Sequence, residues 1–247
     1  MALTDARAAV AIPDDMEDAV GAALPTQGCT AFFAAEEMVR LHPGDHVLVQ
    51  AAAGGVGSLL VQLAKRRGCV VYGTAGSDDK LDLLRKLGVD VAINYRKNDF
   101  CDVIRAARGD DGIDVIFDSL GGDAVRRGMK LLAAGGRMVC FGAASHAGGG
   151  GMAPQILKDL KFVASFGFPH PIPLLMNSKS IIGINMLRLS DQRPLVLKRC
   201  LENVVALALD GTLTPIVGGR YPASQLAEAH AFLEGRGSMG KLVITWE

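Results

Sequence analysis

HVLVQAAAGGVG, residues 46–57, is the stretch that decides the fold. It begins with the apolar run Val47, Leu48 and Val49, whose β-branched residues are typical of a buried strand. A glycine-rich turn follows, and apolar residues then recur at a helical spacing, at Val56, Leu60, Leu63 and Ala64. The stretch therefore predicts a strand, a tight turn and a helix.

The turn contains the spacing Ala52-x-Gly54-x-x-Gly57, a dinucleotide-binding fingerprint with alanine at its first glycine position. Gly54 would let the backbone approach a pyrophosphate, and Gly57 would let the helix pack closely on the strand. The free N–H groups of the helix N-terminus would face the anion. A plain strand-to-helix turn is the alternative interpretation. The candidate phosphate-binding residues are Ala53, Gly54, Gly55, Val56 and Gly57.

Up to residue 187 the chain alternates between compact apolar runs and segments with helical periodicity. Strands are predicted at 46–51, 69–75, 91–94, 113–118, 136–142 and 181–187. Helices are predicted at 28–40, 55–67, 78–87, 99–108, 122–133 and 154–166. This alternation predicts an α/β fold with a doubly wound parallel Rossmann sheet in the strand order 3-2-1-4-5-6.

Past residue 188 the pattern changes. An amphipathic helix at 191–209 is followed by the short apolar stretch 214–217, a helix at 223–234 and a strand from Lys241 to Trp246. Because these elements do not extend the alternating sheet, they predict part of a second lobe.

The composition, with 49% hydrophobic and 21% charged residues, is that of an ordinary globular protein. The formal net charge is zero, so the basic footprint of a protein that binds nucleic acid or an anionic membrane is missing. Glutamines and glycines interrupt the longest apolar stretch, from Val47 to Ala64, which therefore predicts no membrane span. The N-terminus lacks the apolar run of a signal peptide. Five scattered cysteines without a C-x-x-C pair predict reduced thiols and a cytoplasmic protein.

Several short motifs occur in an order that resembles the medium-chain dehydrogenase/reductase superfamily, and most closely its zinc-independent quinone oxidoreductase branch. They are QGCTA (27–31), PGD (43–45), AAAGGVG (51–57), QLA (62–64), KLG (86–88), INYR (93–96), FDSLGG (117–122) and GKLV (240–243). The segment IGINML (182–187) resembles that of the vesicle amine transport protein-like members. The resemblance runs from about residue 8 to the C-terminus.

Members of this superfamily begin with a GroES-like substrate lobe, most of which has no counterpart in this sequence. The resemblance implies three parts: residues 1–23 as a remnant of that lobe, 24–187 as the dinucleotide-binding domain, and 188–247 as the return segment of the lobe. We expect this sequence to be a fragment of a longer protein, the product of a mis-started reading frame or a genuinely reduced protein. The resemblance also implies a homodimer through the strand at 181–187, since an exposed apolar edge needs pairing.

The cofactor preference depends on the end of the second strand, where an NAD-preferring site places a carboxylate that binds both ribose hydroxyls. That position is Ala75, which has no charge to repel a 2′-phosphate. The resemblance implies that Ser77, Lys80 and Tyr95 contact the 2′-phosphate of NADPH. The acidic pair at 78–79 is interpreted as capping the following helix and pointing away from the ligand.

The resemblance places the nicotinamide half of NADPH beside the loop after the fifth strand. Residues expected to hold the cofactor there are Thr30, Gly142, Ala143 and Ser145, with Ser119 and Asn185 as further contacts. The implied reaction delivers a hydride from nicotinamide C4 to a quinone or an α,β-unsaturated carbonyl compound. No proton-donating catalytic residue is identified, because Asp118 is expected to shape the loop after the fourth strand.

A catalytic zinc ion is not expected. Zinc-dependent relatives place a ligand cysteine shortly before the segment matched by Gly28, where this chain has Ala22, Ala23 and Leu24. The five histidines show no mutual ligand spacing. Without zinc to polarise a carbonyl group, the substrate must already be electron-poor.

Two other classes of function stay open for this sequence. One is an NADPH-binding remnant or scaffold protein without turnover, because the missing lobe carries much of the substrate pocket. The other is an S-adenosylmethionine-dependent methyltransferase, which also begins with a strand, a glycine-rich loop and a helix. A methyltransferase normally has an acid where this chain has Ala75.

Overall fold

The computed structural model describes residues 5–143, 161–166 and 171–246. Its main element is a six-stranded parallel sheet in the order β3-β2-β1-β4-β5-β6, which confirms the predicted doubly wound fold. The strands are β1 His46–Val49, β2 Val70–Ala75, β3 Val91–Asn94, β4 Ile113–Asp118, β5 Leu132–Cys140 and β6 Ser180–Gly183. Strand order reverses between β1 and β4, and the crevice outside the carboxyl ends of such strands is where ligands bind.

Helices cover both faces of the sheet. They are α1 Asp18–Gly21, α2 Cys29–Phe32, α3 Gly55–Arg66, α4 Asp78–Lys86, α5 Phe100–Arg108, α6 Asp123–Gly128, α7 Pro171–Met176, α8 Met186–Gln192, α9 Pro194–Leu209 and α10 Leu226–Glu234. Alternate residues of β1 enter the two cores: Val47 and Val49 pack with α3, and Leu48 packs with Phe100 of α5. Within the described ranges, no helix is both long and apolar enough to cross a membrane.

The C-terminal residues form a separate βαβ unit. Strand β7, Val217–Pro222, pairs in parallel with β8, Lys241–Thr245, and α10 connects the two. Helix α9 packs elsewhere, since its Cys200 and Val204 are buried in the same core as Cys29 of α2. The division of the chain at residues 23/24 and 187/188 stays a prediction.

The predicted helix at 122–133 is wrong beyond Gly128, and β5 begins at Leu132 rather than at residue 136. Leu132 pairs with Ile113 of β4 before a shift of register, and the N–H of Ile113 donates to the carbonyl oxygen of Leu131 at 2.8 Å. Both leucines are buried. Their burial in the sheet outweighs the local preference of this segment for a helix.

Other boundaries differ for local reasons. The predicted helix at 191–209 is two helices, because Pro194 lacks the N–H that a continuing helix needs and starts α9 instead. Strand β6 ends before residue 187, since Asn185 already caps α8. The predicted helix at 28–40 starts earlier and is π-helical at both ends, at Leu24–Gly28 and Phe33–Met38. Of the predicted helix at 154–166, only 161–166 lies within the described residues, and 161–165 is helical.

Candidate functional site

The turn between β1 and α3 allows close approach to the backbone. Gly54 is the N-cap of α3 and places no side chain over the helix end. A Cβ at Gly57 would lie 2.8 Å from Ala52 Cα, so glycine is what lets α3 pack on the strand. Ala51 has a φ of 50°, which is unusual for a residue with a side chain. The first N–H groups of α3, beginning at Gly55, have no partner within the helix and are available to an anion.

The side-chain amide of Gln27 covers one side of this turn. A Cβ at Gly55 would overlap the amide, so the amide rests directly on the first helical residue of α3. Gln27 lies in the π-helical turn before α2. The segment before β1 therefore contributes a polar group to the turn, which the sequence did not predict.

A buried hydrogen-bonded pair joins the ends of β1 and β2 at the base of the turn. Thr74 Oγ1 donates to Gln50 Oε1 at 2.7 Å and accepts from the N–H of Ala51 at 3.1 Å. Both side chains are buried, and within the described residues Gln50 Nε2 has no hydrogen-bond partner. The pair has no local sequence signal, since 24 residues separate Gln50 from Thr74.

A cavity of about 190 Å³ lies beyond the ends of β2 and β3. Its lining includes Lys80, Tyr95 and Arg236, together with Ala75, which ends β2 without a carboxylate. Lys80 Nζ donates to the carbonyl oxygen of Arg236 at 2.7 Å and so joins α4 to the C-terminal unit. Burial, and then the charge of Arg96, lower the pKa of Lys80. The cavity is therefore a cationic pocket beside the fingerprint turn.

Of the predicted 2′-phosphate contacts, Lys80 and Tyr95 line this cavity, whereas Ser77 is not among its lining residues. Ser77 is the N-cap of α4, and its hydroxyl makes no capping hydrogen bond. Asp78 accepts from Lys97 Nζ at 2.6 Å and does not line the cavity. Its orientation away from the ligand stays a prediction.

The sequence did not predict Arg236 as a residue of the candidate site. It lies in the turn after α10 with a φ of 56°, between Gly235 and Gly237. The left-handed region costs a residue with a Cβ about 1 kcal/mol, and glycine is the usual choice after a helix. A basic residue between two glycines at the end of a predicted helix is the signal that could have found it.

A second cleft, of about 610 Å³, lies beyond the ends of β5 and β6. The predicted residues that line it are Thr30, Gly142, Ala143 and Asn185. Thr30 Oγ1 donates to the carbonyl oxygen of Thr26 at 2.6 Å, and Asn185 Oδ1 accepts from the N–H of Arg188 at 3.1 Å. The fold therefore brings these predicted residues together, while Ser145 lies outside the described residues.

Ser119 lies beside this cleft, where the loops after β4 and β5 meet. A Cβ at Gly142 would lie 2.8 Å from the carbonyl oxygen of Ser119. Cys140 lines the cleft, and burial, followed by the charge of Asp118, raises the pKa of its thiol to about 12. The thiol is therefore protonated and unreactive at neutral pH.

Asp118 is fully buried at the end of β4. Its Oδ1 accepts from the N–H groups of Leu120 at 3.1 Å and Gly121 at 2.7 Å. Within the described part of the chain Oδ2 has no partner, and burial raises the pKa of the carboxyl group. These contacts are those of a residue that shapes a loop.

A sequence model of the zinc-binding dehydrogenase family matches residues 55–201, more than half of the chain. The chain belongs to this family of medium-chain dehydrogenases/reductases. The family resemblance seen in the sequence motifs is thereby confirmed.

Individual relatives agree with this family. The 2-haloacrylate reductase of a Burkholderia species is 31% identical over 231 residues, which cover 93% of this chain and 64% of the reductase. Escherichia coli quinone oxidoreductase, solved in complex with NADPH, matches with a TM-score of 0.76 at 25% identity, over 96% of this chain and 68% of that one. The human synaptic vesicle membrane protein VAT-1 homolog-like protein matches with a TM-score of 0.75 at 25% identity, over 95% and 64%. The chain thus spans less than two thirds of the length of the 2-haloacrylate reductase.

The family description includes zinc. Among the described residues of this chain, no group of three or more His, Cys, Asp or Glu side chains could hold a metal ion. Cys29 is buried, and burial, followed by the nearby Cys200, raises the pKa of its thiol.

Proposed function

We propose that the protein is an NADPH-dependent oxidoreductase that transfers hydride, without zinc, to a quinone or an α,β-unsaturated carbonyl compound. The observation that carries this proposal is the cavity beside the fingerprint turn, lined by Lys80, Tyr95 and Arg236 around a strand end without a carboxylate. Two cationic side chains and a hydroxyl suit a 2′-phosphate, whereas an acid at Ala75 would have suited the ribose hydroxyls of NADH. The quinone oxidoreductase complex with NADPH supports the same cofactor.

The residues of this chain would bind and orient the cofactor across both cavities. The N–H groups at Gly55 and the following positions would donate to the pyrophosphate. Thr30 and Asn185 would contact the nicotinamide half in the second cleft, whose lining also includes Phe141 and Met186 as apolar walls. When bound, NADPH supplies the hydride, and the protein contributes orientation and exclusion of water.

The proposed acceptors carry a double bond conjugated to a carbonyl group, so that the incoming negative charge spreads onto oxygen. The relative from Burkholderia is named for 2-haloacrylate, whose carbon–carbon double bond is conjugated to a carboxylate group. The proposed proton sources are solvent, which reaches the open second cleft, and a ribose hydroxyl of the cofactor.

A second candidate is an NADPH-binding protein without turnover. The observation that favours it is the exposure of Gly142, Ala143, Asn185 and Leu187, which leaves the second cleft open to water. Hydride transfer is favoured by a site that excludes water. A methyltransferase is supported less, because β2 ends at Ala75 and the chain matches a dehydrogenase family.

Titration calorimetry with NADPH and with NADH tests the cofactor assignment, and a quinone or 2-chloroacrylate is then added to the NADPH complex. Preferential NADPH binding followed by oxidation of the nicotinamide supports the reductase. Binding without oxidation by either acceptor supports the second candidate. Lack of NADPH binding contradicts both. Lys80→Met is the matched variant, and it should weaken NADPH binding while leaving NADH binding unchanged.

A homodimer through β6 remains part of the proposal. Among the described strands, β6 lies at the edge of the sheet and pairs with β5 alone. Helix α7, directly before it, leaves Leu175 and Met176 exposed. An open apolar edge of this kind favours pairing with a second copy. Sedimentation equilibrium should give twice the mass of the chain, and a monomer mass would contradict the dimer.

A cytoplasmic location is also proposed. The described cysteines are all unpaired: Cys29, Cys69, Cys101, Cys140 and Cys200. Free, mostly buried thiols are typical of proteins in reducing compartments. Fractionation of cells that express the chain should find it in the cytosolic fraction, and recovery from a secreted fraction would contradict the proposal.

A further inference from the structure

Gln62, on α3, holds the C-terminal residues through its side-chain amide. Its Nε2 donates to the carbonyl oxygen of Thr214 at 3.0 Å, and its Oε1 accepts from the N–H of the same residue at 2.8 Å. The amide therefore pairs with both backbone groups of Thr214, as a neighbouring strand would. Leu213, the preceding residue, is buried, so the pair lies at the edge of the packed core.

Two residues after Thr214, at Ile216, backbone hydrogen bonds begin that lead to the fingerprint turn. The carbonyl oxygen of Ile216 accepts from the N–H of Lys241 at 2.7 Å. The N–H of the preceding residue, Gly240, donates to the carbonyl oxygen of Ala53 at 3.0 Å. A chain of contacts thus leads from the middle of α3 through the C-terminal unit and back to the turn at the start of α3.

Two segments, around Ile216–Gly218 and Met239–Gly240, pack closely against each other at this point. A Cβ at Gly240 would overlap the carbonyl oxygen of Ile216, and a Cβ at Gly218 would overlap the carbonyl oxygen of Met239. Residues 239–241 therefore pack closely against the segment that follows Thr214, which Gln62 binds. Arg236, in the cationic cavity, precedes Gly240 by only four residues.

We propose that Gln62 is a positioning residue for the 2′-phosphate of NADPH, which acts by holding Arg236 in place beside Lys80. This inference rests on the proposed function, because it takes the cavity at Lys80 and Arg236 as the 2′-phosphate site. Gln62 does not line that cavity. Its influence on the cofactor must therefore pass through Thr214 and the C-terminal unit.

Calorimetry on the full chain with NADPH and with NADH tests the role of Gln62. Gln62→Leu removes both hydrogen bonds at similar size and should raise the Kd for NADPH about tenfold, with less than about a twofold change for NADH. Gln62→Glu keeps an acceptor for the N–H of Thr214 but loses the donor, and should raise the Kd for NADPH about threefold. When Arg236→Ala is already present, Gln62→Leu should add no further loss.

The control is Asn203→Leu, which removes an exposed amide that donates to the carbonyl oxygen of Arg199 within α9. It should leave both dissociation constants unchanged, and thermal unfolding verifies that each variant is folded. An equal change in both constants for Gln62→Leu would indicate a purely structural role and overturn the inference. An undiminished effect in the Arg236→Ala background, or an unchanged preference for NADPH, would also overturn it. If the unaltered chain shows no preference for NADPH, the proposed function itself fails.

Discussion

The hydroxyl of Tyr95 lies over Gly76, where a Cβ would be only 2.5 Å from Tyr95 Oη. Glycine at position 76 therefore leaves the space in which the tyrosine ring closes the cationic cavity. Tyr95 is 38% exposed and lines the same cavity as Ala75, the last residue of β2. A side chain at position 76 and this placement of Tyr95 exclude each other.

Gly76→Ala should displace the hydroxyl of Tyr95 and raise the Kd for NADPH about tenfold, since one charge-assisted hydrogen bond to the phosphate is lost. The binding of NADH should change little. The stability of the protein should also change little, because the displaced atom is the exposed end of a side chain. Calorimetry measures both constants. Tyr95→Phe, which removes only the hydroxyl, should give the same loss, and unchanged NADPH binding in both variants would refute the contact.

Ala75→Asp should reverse the cofactor preference. A carboxylate at the end of β2 would accept from the ribose hydroxyls of NADH and repel a 2′-phosphate. The ratio of the two dissociation constants should shift about a hundredfold toward NADH. Ala75→Asn adds a polar group of similar size without the charge and should shift the ratio much less. Equal shifts in the two variants would argue against electrostatic selection at this position.

Much of the fold could be predicted because its signals are local. The apolar run before the fingerprint, the glycine spacing and the alternation of elements are all visible within short windows. The start of β5 could not be predicted, since Leu131 and Leu132 join the sheet through contacts with Ile113. A segment that would suit a helix by itself became a strand because the sheet offered burial.

Only part of the candidate site could be predicted from the sequence, for the same reason. Residues of the fingerprint turn follow from spacing, whereas Arg236 reaches Lys80 from 156 residues away. The pair Gln50 and Thr74 is likewise made by the fold, because the ends of β1 and β2 lie side by side in the sheet. Long-range contacts of this kind leave no periodic trace in a sequence.

Gly57→Ala should destabilise the protein by about 1–3 kcal/mol, because the added methyl group would meet the backbone of Ala51 and Ala52 rather than a movable side chain. Helix α3 would have to shift away from β1, so NADPH binding should weaken as well. Urea unfolding measures the free energy of unfolding. Gly183→Ala is the matched control for stability, since a Cβ there meets nothing within 4 Å. Comparable losses in the two variants would exclude the packing explanation.

Asp118→Ala should cost about 2 kcal/mol, because the buried N–H groups of Leu120 and Gly121 would lose their acceptor. Asp118→Asn keeps an acceptor for these N–H groups, so at pH 7 it should cost less stability than Asp118→Ala. Urea unfolding of both variants at pH 7 provides the measurement. A loss in Asp118→Asn as large as that in Asp118→Ala would contradict the role of Oδ1 as the acceptor of these hydrogen bonds.

The stability of the protein should depend on pH through the same residue. Burial raises the pKa of Asp118 in the folded state above its usual value of 3.8, so the folded state binds this proton more tightly than the unfolded state. The resulting stabilisation is complete below pH 3.8 and is lost as the pH rises through the folded-state pKa. Relative to Asp118→Asn, the unaltered protein should lose stability over this range. A difference that does not vary with pH would contradict the raised pKa.

The parallel bridge between Gly54 and Gly240 has a consequence for folding. The six strands of the main sheet all precede Ile184, whereas Arg236 and β8 come later in the sequence. The sheet and its fingerprint turn can therefore form from residues that do not include the cationic side of the cavity. Local unfolding of the C-terminal unit, with the sheet intact, would then abolish the proposed preference for NADPH without abolishing the fold.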